Sequence, residues 1–283
     1  MSVSRPFAQV SRDQVSRDKV SRDQTERTSY EGSYEDSNEQ SCEETARERY
    51  KAGVESLSGD VFADPDAAAI GSFDTVLDDL ASANDQLAKA SAEQIVRWVS
   101  QQGGPIMLST SMGSGSAVML HLIAQHAPNA DVVWVDSGYN TPDTYRFAET
   151  IQEELAVKLH VYTPLMTAAY RDAVYGPIPL VDDAERHKVF TQQVKLEPFE
   201  RAIRELAPRI WLTGIRSEES DYRRGLNILT RDSRVDLKVA PIFHWKEIDV
   251  QRYLRCHKLP DNLNYFDPTK VFAGRECGLH TAA

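Results

Sequence analysis

The stretch IMLSTSMGSGSAVMLHLI, residues 106–123, decides the fold class of this 283-residue chain. A short apolar run from Ile106 to Leu108 is followed by a polar loop at 109–116, and apolar side chains then recur at helical spacing from Ala117. This order predicts a strand, a loop and a helix. Because small residues let backbone N–H groups approach an anion, and a helix N-terminus favours negative charge, the loop is a candidate phosphate or sulfate cradle. The alternative is an ordinary Ser/Gly turn.

The same order of elements repeats along the rest of the chain. Apolar runs predict strands at 132–135, 160–162, 210–213 and 238–240, and periodicity predicts helices at 76–87, 142–155, 197–206 and from Lys246. Ser91 and Gln94 have the spacing of a capping box, which predicts a further helix start. Strands alternating with helices predict an α/β fold, a mostly parallel sheet with helices on both faces and ligands at the carboxyl ends of the strands.

The N-terminal region differs in composition from the rest of the chain. Residues 10–24 repeat VSRDQ-like pentads, which match neither the helical nor the strand period, and the following stretch is rich in Ser, Glu and Asp. We therefore predict a disordered tail at 1–72, an α/β domain at 73–263 and a mobile C-terminal segment at 264–283. Cys42 in the tail is interpreted as an incidental thiol, and deletion up to Gly71 is expected to leave activity intact.

Charge and hydropathy exclude several functional classes. A formal net charge of -11 argues against general nucleic-acid binding. No apolar run approaches the roughly 18 to 20 residues of a membrane span, and Met1 leads into polar sequence, so we expect a soluble cytoplasmic protein without membrane attachment.

The three cysteines of the chain are Cys42, Cys256 and Cys277. They are too few for a disulfide framework and form no Cys-x-x-Cys pair, so no metal, no iron–sulfur cluster and at most one reactive thiol are expected, in a reducing compartment. Cys256 sits late in a predicted helix and is interpreted as a buried structural thiol.

Two further groups of residues carry candidate chemistry. Asp136 and Gly138 follow the second predicted strand, so their loop is expected beside the loop at 109–116, although a capped turn is an equal alternative. The cationic residues Lys195, Arg216, Arg223, Arg224 and Lys238 are candidate clamps for phosphates. Their alternative is a solvated surface in which Glu218 and Glu219 pair with their basic neighbours.

The C-terminus contributes a candidate nucleophile. Cys277 is flanked by Arg275 and His280, whose charges would stabilise the thiolate, and glycines on both sides indicate a segment that can move. A frayed terminus with an incidental cysteine is the competing interpretation.

Together these segments resemble the assimilatory phosphoadenylyl-sulfate (PAPS) reductase family, over roughly 81–280. The motifs that carry the resemblance are ECGLH at 276–280, LSTSMGSGSAVMLHL from Leu108, VDSGYNTPDTYRF from Val135, KLEP from Lys195, TGIRSEES from Thr213 and KVAPIFHW from Lys238. The resemblance implies a fold like that of the adenine-nucleotide α-hydrolases. It also implies the cluster-free branch with no bound cofactor, reduced thioredoxin or glutaredoxin as electron donor and partner, and a homodimer.

The resemblance implies a role for each matched residue. Ser109, Ser111 and Gly113 would hold anionic oxygens, Asp136 and Gly138 would contact the nucleoside, and Lys195, Arg216, Arg223 and Lys238 would neutralise phosphate and sulfate. Cys277 would attack the sulfur of PAPS, with Arg275 and His280 assisting, to form an S-sulfocysteine that thioredoxin resolves to sulfite.

The chain departs from the family in three places. Arg216-Ser217-Glu218 stands where relatives have Arg-Arg-Glu, residues 175–180 replace a Tyr-Gly-x-x-Trp-Glu motif, and only 267–273 lie where relatives carry a longer stretch with Gly-Asp-x-His-Thr-Thr. Three alternatives therefore stay open: a cluster-free reductase of adenylyl sulfate (APS), a nucleotide-binding relative without turnover, and an ATP pyrophosphatase or adenylyltransferase. The last is disfavoured because the loop lacks SGGxDS.

Overall fold

A computed structural model describes residues 70–180 and 182–270. Its strands are β1 (Ile106–Thr110), β2 (Asp131–Val135), β3 (Lys158–Tyr162), β4 (Ile210–Thr213), β5 (Leu229–Asp232) and β6 (Val235–Val239). Its α-helices are α1 (Phe73–Asp78), α2 (Leu80–Leu87), α3 (Ala92–Gln101), α4 (Ser116–His126), α5 (Pro142–Glu154), α6 (Ala168–Tyr175), α7 (Ala184–Thr191), α8 (Glu197–Leu206), α9 (Asp221–Arg224) and α10 (Glu247–Cys256). A π-helix spans Gln192–Leu196, and 3₁₀ turns span Ser217–Glu219 and Pro268–Lys270.

The six strands form one sheet in the order β3-β2-β1-β4-β6-β5. All neighbours pair in parallel except β5 and β6, which are antiparallel. The chain builds β1, β2 and β3 in one direction and then returns to place β4 on the other side of β1. The direction of strand order therefore reverses between β1 and β4, which is where an open α/β sheet forms its ligand crevice.

The predicted α/β class, with a mostly parallel sheet covered by helices, is confirmed. Helix α8 and strand β4 have the predicted bounds, and Ser91 and Gln94 form the predicted capping box of α3. The predicted helix at 76–87 is two helices, because Asp79 leaves helical geometry and caps α2 through the Ser82 N–H. Helices α6 and α7, the π-helix and strand β5 were not predicted.

Alternation along the strands divides the core between the two faces of the sheet. Met107 of β1, Val133 of β2 and Trp211 of β4 pack with Phe199 and Ala202 of α8 on one face. Their neighbours Leu108, Val132 and Leu212 point to the other face and join a larger core that includes residues of α1 to α5 and α10. Because the central strands β1, β2 and β4 are covered on both faces, their apolar runs are nearly continuous, as in other parallel sheets.

The structure tests two predictions, one on where the ordered domain begins and one on Cys256. Ile70 is only 6% exposed and the Gly71 carbonyl accepts a hydrogen bond from Trp98 Nε1, so the packed chain begins just before α1. Of the predicted disordered tail at 1–72, residues 70–72 belong to the ordered domain, and residues 1–69 lie outside the described residues. The prediction that Cys256 is a buried thiol is wrong: it lies exposed at the end of α10 and its sulfur is disulfide-bonded. The expectation of a reduced, structural Cys256 is therefore also wrong.

Candidate active site

A crevice of about 340 Å³ opens at the carboxyl ends of β1 and β4, at the point where the strand order reverses. The loop after β1 forms one wall and the turn after β4 forms part of the other. Of the residues predicted to bind substrate, the crevice is lined by Ser109, Ser111, Gly113, Lys195, Arg216 and Arg223. The fold thus brings the predicted polar loop together with the predicted cations, of which Lys195 lies 82 positions after Gly113 in the chain.

The loop after β1 is shaped by close packing. Met112 has a φ of 53° and Gly115 a φ of 72°, so the chain passes through the left-handed region twice. Gly113 lies under the ring of Tyr265, where an added Cβ would come within 2.9 Å of a ring carbon. Glycine is therefore required at 113 by the approach of Tyr265 and at 115 by the backbone conformation.

Ser109 is oriented by an indole on the neighbouring strand. Trp211 Nε1 donates a hydrogen bond of 2.8 Å to Ser109 Oγ, which leaves the Ser109 hydroxyl able to donate its own hydrogen to an anion. Lys238 Nζ lies 4.5 Å from the centre of the Trp211 ring, and the Arg234 guanidinium lies 4.9 Å from it. Two cations thus pack on the indole that positions Ser109.

Lys238 does not line the crevice. It is 4% exposed on β6, packed against Trp211 on the α8 side of the sheet. The sequence predicted a cation in contact with substrate, whereas the structure places this charge behind Trp211. The reason is strand alternation, since Lys238 pairs with Trp211 in register and shares its face.

Lys195 reaches the crevice from the π-helix at Gln192–Leu196. Its ammonium lies 2.5 Å from Asp267 Oδ2, and the two side chains are 12% and 10% exposed. Burial alone would raise the pKa of Asp267, but the charge and hydrogen bond of Lys195 and the Thr269 hydroxyl more than offset it and lower that pKa. The pair is a nearly buried ion pair. One-turn π-helices are frequent at functional sites, where they turn a side chain out of the helical register.

The two arginines of the cationic wall are also held by carboxylates. Arg216 donates to Glu218 Oε1 at 2.7 Å and to Glu247 Oε2 at 2.7 Å, and Arg223 pairs with Glu219. Hydrogen bonds from Gln251 and Arg216 lower the pKa of Glu247 although burial opposes them. The side chains of Arg216 and Arg223 are 13% and 12% exposed, so their positions are fixed by packing and ion pairs. The predicted pairing of Glu218 and Glu219 with their basic neighbours is therefore confirmed, but Arg216 and Arg223 are too little exposed for a solvated surface. Arg224 is 66% exposed, pairs with Asp221 and does not line the crevice.

Asp136 and Gly138 shape a turn beside the crevice and do not line it. Asp136 Oδ1 accepts from the Gly138 N–H at 3.0 Å, Asn140 Nδ2 at 2.8 Å and the Tyr145 hydroxyl at 2.9 Å. Partial burial and the Asp136 carboxylate raise the pKa of Tyr145 to about 12. Ser137 and Asn140 of the same turn line the crevice instead. The loop is adjacent to that of β1, as expected, since β1 and β2 are paired.

Several lining residues escaped the sequence reasoning. Tyr265, Asp267 and Lys270 line the crevice from the segment that follows α10, and Glu247 of α10 supplies a counter-charge. Glu219 also lines it and pairs with Arg223, as the sequence had allowed. Acidic residues among predicted cations were a usable signal, whereas nothing local in the sequence marks Tyr265. The predicted nucleophile Cys277 and its companions Arg275 and His280 lie outside the described residues.

Within the described ranges, no group of three or more His, Cys, Asp or Glu side chains is arranged to hold a metal ion. In the same part of the chain, no helix has the length and apolar character needed to cross a bilayer.

The fold and the crevice define an α/β protein with a mostly parallel sheet and a polar, partly cationic crevice at the point where the strand order reverses. The family model "Phosphoadenosine phosphosulfate reductase domain" matches residues 105–267. Among similar sequences, a phosphoadenosine 5'-phosphosulfate reductase of a Synechococcus species is 38% identical over 188 residues, which cover 65% of this chain and 80% of the relative. One from Xylella fastidiosa (strain 9a5c) is 39% identical over 188 residues, covering 65% and 77%.

A solved structure agrees on the fold. A crystal structure of PAPS reductase from Candida auris, in complex with phosphate, is similar with a TM-score of 0.58 and 23% identity, covering 70% of this chain and 96% of that one. The chain belongs to the phosphoadenosine phosphosulfate reductase family, and the resemblance read from its motifs is confirmed.

Proposed function

We propose that this protein reduces 3'-phosphoadenylyl sulfate to sulfite and adenosine 3',5'-bisphosphate, a step of sulfate assimilation. The observation that carries the proposal is the crevice of this family member, in which Ser109, Ser111 and Gly113 face the fixed cations Lys195, Arg216 and Arg223. The substrate is a polyanion, and both walls offer groups that stabilise anionic oxygens: hydroxyl and N–H donors on one side and cations on the other.

The balance of charge in the crevice supports an anionic ligand in an acidic protein. Among the described lining residues, Lys195, Arg216, Arg223 and Lys270 are cationic, and Glu219, Glu247 and Asp267 are acidic. The acids fix the cations in place before substrate arrives, which reduces the ordering cost of binding. Lys238 then serves the reaction through Trp211 and Ser109, and Asp136 and Gly138 serve it through the turn that presents Ser137 and Asn140. Direct contact of Asp136 and Gly138 with the nucleoside stays a prediction.

The chemical step is nucleophilic. The thiolate of Cys277 attacks the sulfonyl sulfur of PAPS, the bond from that sulfur to the phosphate oxygen breaks, and adenosine 3',5'-bisphosphate leaves. Lys195 and the arginines would neutralise the charge that develops on the leaving phosphate. Arg275 and His280 would favour the thiolate.

Thioredoxin or glutaredoxin completes the cycle. One of its thiolates attacks the Cys277 sulfur of the S-sulfocysteine and releases sulfite, and its second thiol then frees Cys277 and leaves the donor oxidised. This scheme uses no bound metal or cluster, and a cytoplasmic location is part of the proposal. A homodimer is also proposed, on family resemblance alone.

The test measures sulfite formed from PAPS, and separately from APS, in the presence of reduced thioredoxin. Wild type is compared with Cys277→Ser, and Cys42→Ser serves as the matched control, because Cys42 is interpreted as an incidental thiol. Sulfite from wild type and Cys42→Ser, with none from Cys277→Ser, is the expected result. If neither nucleotide yields sulfite, the reductase function is wrong and the nucleotide-binding alternative stands. Faster turnover of APS would favour the APS reductase, and undiminished sulfite from Cys277→Ser would refute the mechanism.

A further inference from the structure

The N-terminus of α4 is capped by a residue far away in the chain. Gly115 occupies the N-cap position and has no side chain to cap the helix. Asp261 takes that role: its Oδ1 accepts from the Gly115 N–H at 2.8 Å, and its Oδ2 accepts from the Ser114 hydroxyl at 3.3 Å. Gln251 of α10 donates to the same Oδ2 at 3.3 Å and so fixes the carboxylate.

This cap changes where the loop can receive an anion. A helix N-terminus commonly binds a phosphate through its backbone N–H groups. Here the Gly115 N–H points to Asp261, and the Ser116 N–H donates to the Gly113 carbonyl at 3.0 Å. Asp261 itself does not line the crevice. The Gly115 and Ser116 N–H groups are thus satisfied by the protein, which favours an anion at the part of the loop nearer β1, at Ser109 and Ser111.

The residues beside Asp261 hold the same loop. The buried amide of Asn262 donates to the Met112 carbonyl at 2.9 Å and to Thr144 Oγ1 at 3.3 Å, and Tyr265 packs over Gly113. A non-glycine residue in the left-handed region, such as Met112 with a φ of 53°, persists only where its surroundings hold it there. The segment at 261–265 provides those surroundings.

We propose that Asp261 is a positioning residue for the reaction, which fixes the loop at 112–115 by capping α4 in place of a bound anion. The inference rests on the proposed reduction of PAPS, since it assigns the loop to substrate binding. Its consequence is that Asp261 acts on substrate affinity through Ser114 and Gly115, without touching the nucleotide.

The test compares Asp261→Ala, which removes the cap, with Asp261→Asn, which keeps an oxygen acceptor for the Gly115 N–H. Asp79→Ala is the matched control, because Asp79 caps α2 through the Ser82 N–H at 3.0 Å and neither residue lines the crevice. Backbone hydrogen exchange of the peptide covering 111–118 reports the loop directly. Asp261→Ala is expected to speed that exchange about tenfold, whereas Asp261→Asn and Asp79→Ala leave it near wild type.

Steady-state kinetics provide the functional readout. Asp261→Ala is expected to raise the KM for PAPS about tenfold with kcat within about threefold, since a charge-assisted hydrogen bond that orders the loop is lost. Added formate should lower that KM again by occupying the vacated cap, and should not affect wild type. Asp261→Asn should stay within about threefold of wild type in KM.

The two proposals fail in different ways. Exchange at 111–118 that is unchanged in Asp261→Ala, or a KM unchanged in a folded Asp261→Ala protein, would overturn the positioning role. Equal impairment of Asp261→Asn and Asp261→Ala would also overturn it, because the hydrogen-bond acceptor would then not matter. Absence of sulfite from wild type would overturn the reductase function instead, and the exchange measurement would still decide the role of Asp261.

Discussion

Replacing Lys195 by Met tests whether the pair with Asp267 is as desolvated as its contacts indicate. The ammonium and carboxylate are 2.5 Å apart, and the side chains are 12% and 10% exposed. Removing one partner of a buried pair leaves an uncompensated charge and costs about 3–5 kcal/mol. Because Asp267 keeps hydrogen bonds from the Thr269 N–H and hydroxyl, we expect Lys195→Met to destabilise the protein by about 3 kcal/mol, at the lower end of that range.

The double variant Lys195→Met with Asp267→Asn separates folding from substrate binding. An asparagine still accepts from Thr269 and carries no charge, so the double variant should lie within about 1 kcal/mol of wild type in its free energy of unfolding. Its KM for PAPS should nevertheless rise about tenfold or more, since the anion loses a cationic partner. Affinity and stability would then change independently, as expected if Lys195 both pairs with Asp267 and binds substrate.

Urea unfolding followed by circular dichroism near neutral pH measures the free energy of unfolding of each variant. The pKa of Asp267 is lowered from its ordinary 3.8, so the contribution of the pair is complete above that pH and is lost as pH falls through the lowered value. Measurements near pH 7 therefore record the whole effect. A Lys195→Met protein within about 0.5 kcal/mol of wild type would show that the pair is solvated, and would refute the argument from burial.

Three further predictions concern Trp211, His121 and the start of the packed chain. Trp211→Phe removes the hydrogen bond to Ser109, so the KM for PAPS should rise about fivefold in the sulfite assay; an unchanged KM would contradict the positioning of Ser109 by the indole. Burial, and then the charges of neighbouring histidines, lower the pKa of His121, so stability is complete above about pH 6.5 and falls as pH decreases below it. Urea titrations at about pH 7.5 and 5.5 should show a smaller loss in His121→Gln than in wild type, each lowered pKa unit corresponding to about 1.4 kcal/mol. Deletion through Gly71 should cost about 1.5–3 kcal/mol in thermal or urea unfolding, because it removes buried Ile70, whereas deletion ending one residue before Ile70 should not.

The elements predicted correctly are those whose signal is local. Strand β4 has four buried residues, of which three are apolar, and α8 begins with Glu197-Pro198 and ends where Ala207 adopts a left-handed conformation. Ser91 and Gln94 satisfy each other's backbone N–H groups within one turn of helix. In such segments propensity, period and capping all favour the same structure, so neighbouring residues are enough to define it.

Strand β5 shows why some elements could not be predicted from the sequence. Its sequence, LTRD, has a single large apolar residue, and only Leu229 is buried. The strand exists because it pairs with β6 and because the Asn84 side chain hydrogen-bonds both the N–H and the carbonyl of Leu229, across 145 residues. No window along the chain contains both partners, so periodicity has nothing to detect.

Packing also decides which of the predicted cations line the crevice, and residue type does not reveal it. Lys195 and Lys238 were equivalent candidates in sequence. The π-helix turns Lys195 into the crevice against Asp267, 72 residues away. Strand register instead places Lys238 beside Trp211 on the same face of the sheet, where it is buried. Since a buried lysine needs a partner, Lys195 lies against the Asp267 carboxylate, and Lys238 lies on the Trp211 ring and interacts electrostatically with Asp232. A lysine that carries its own carboxylate at the mouth of a crevice can exchange that partner for a substrate anion, and one sealed behind an indole cannot. The capacity to bind substrate therefore depends on whether the fold places the lysine in the crevice, and residue type alone does not reveal that placement.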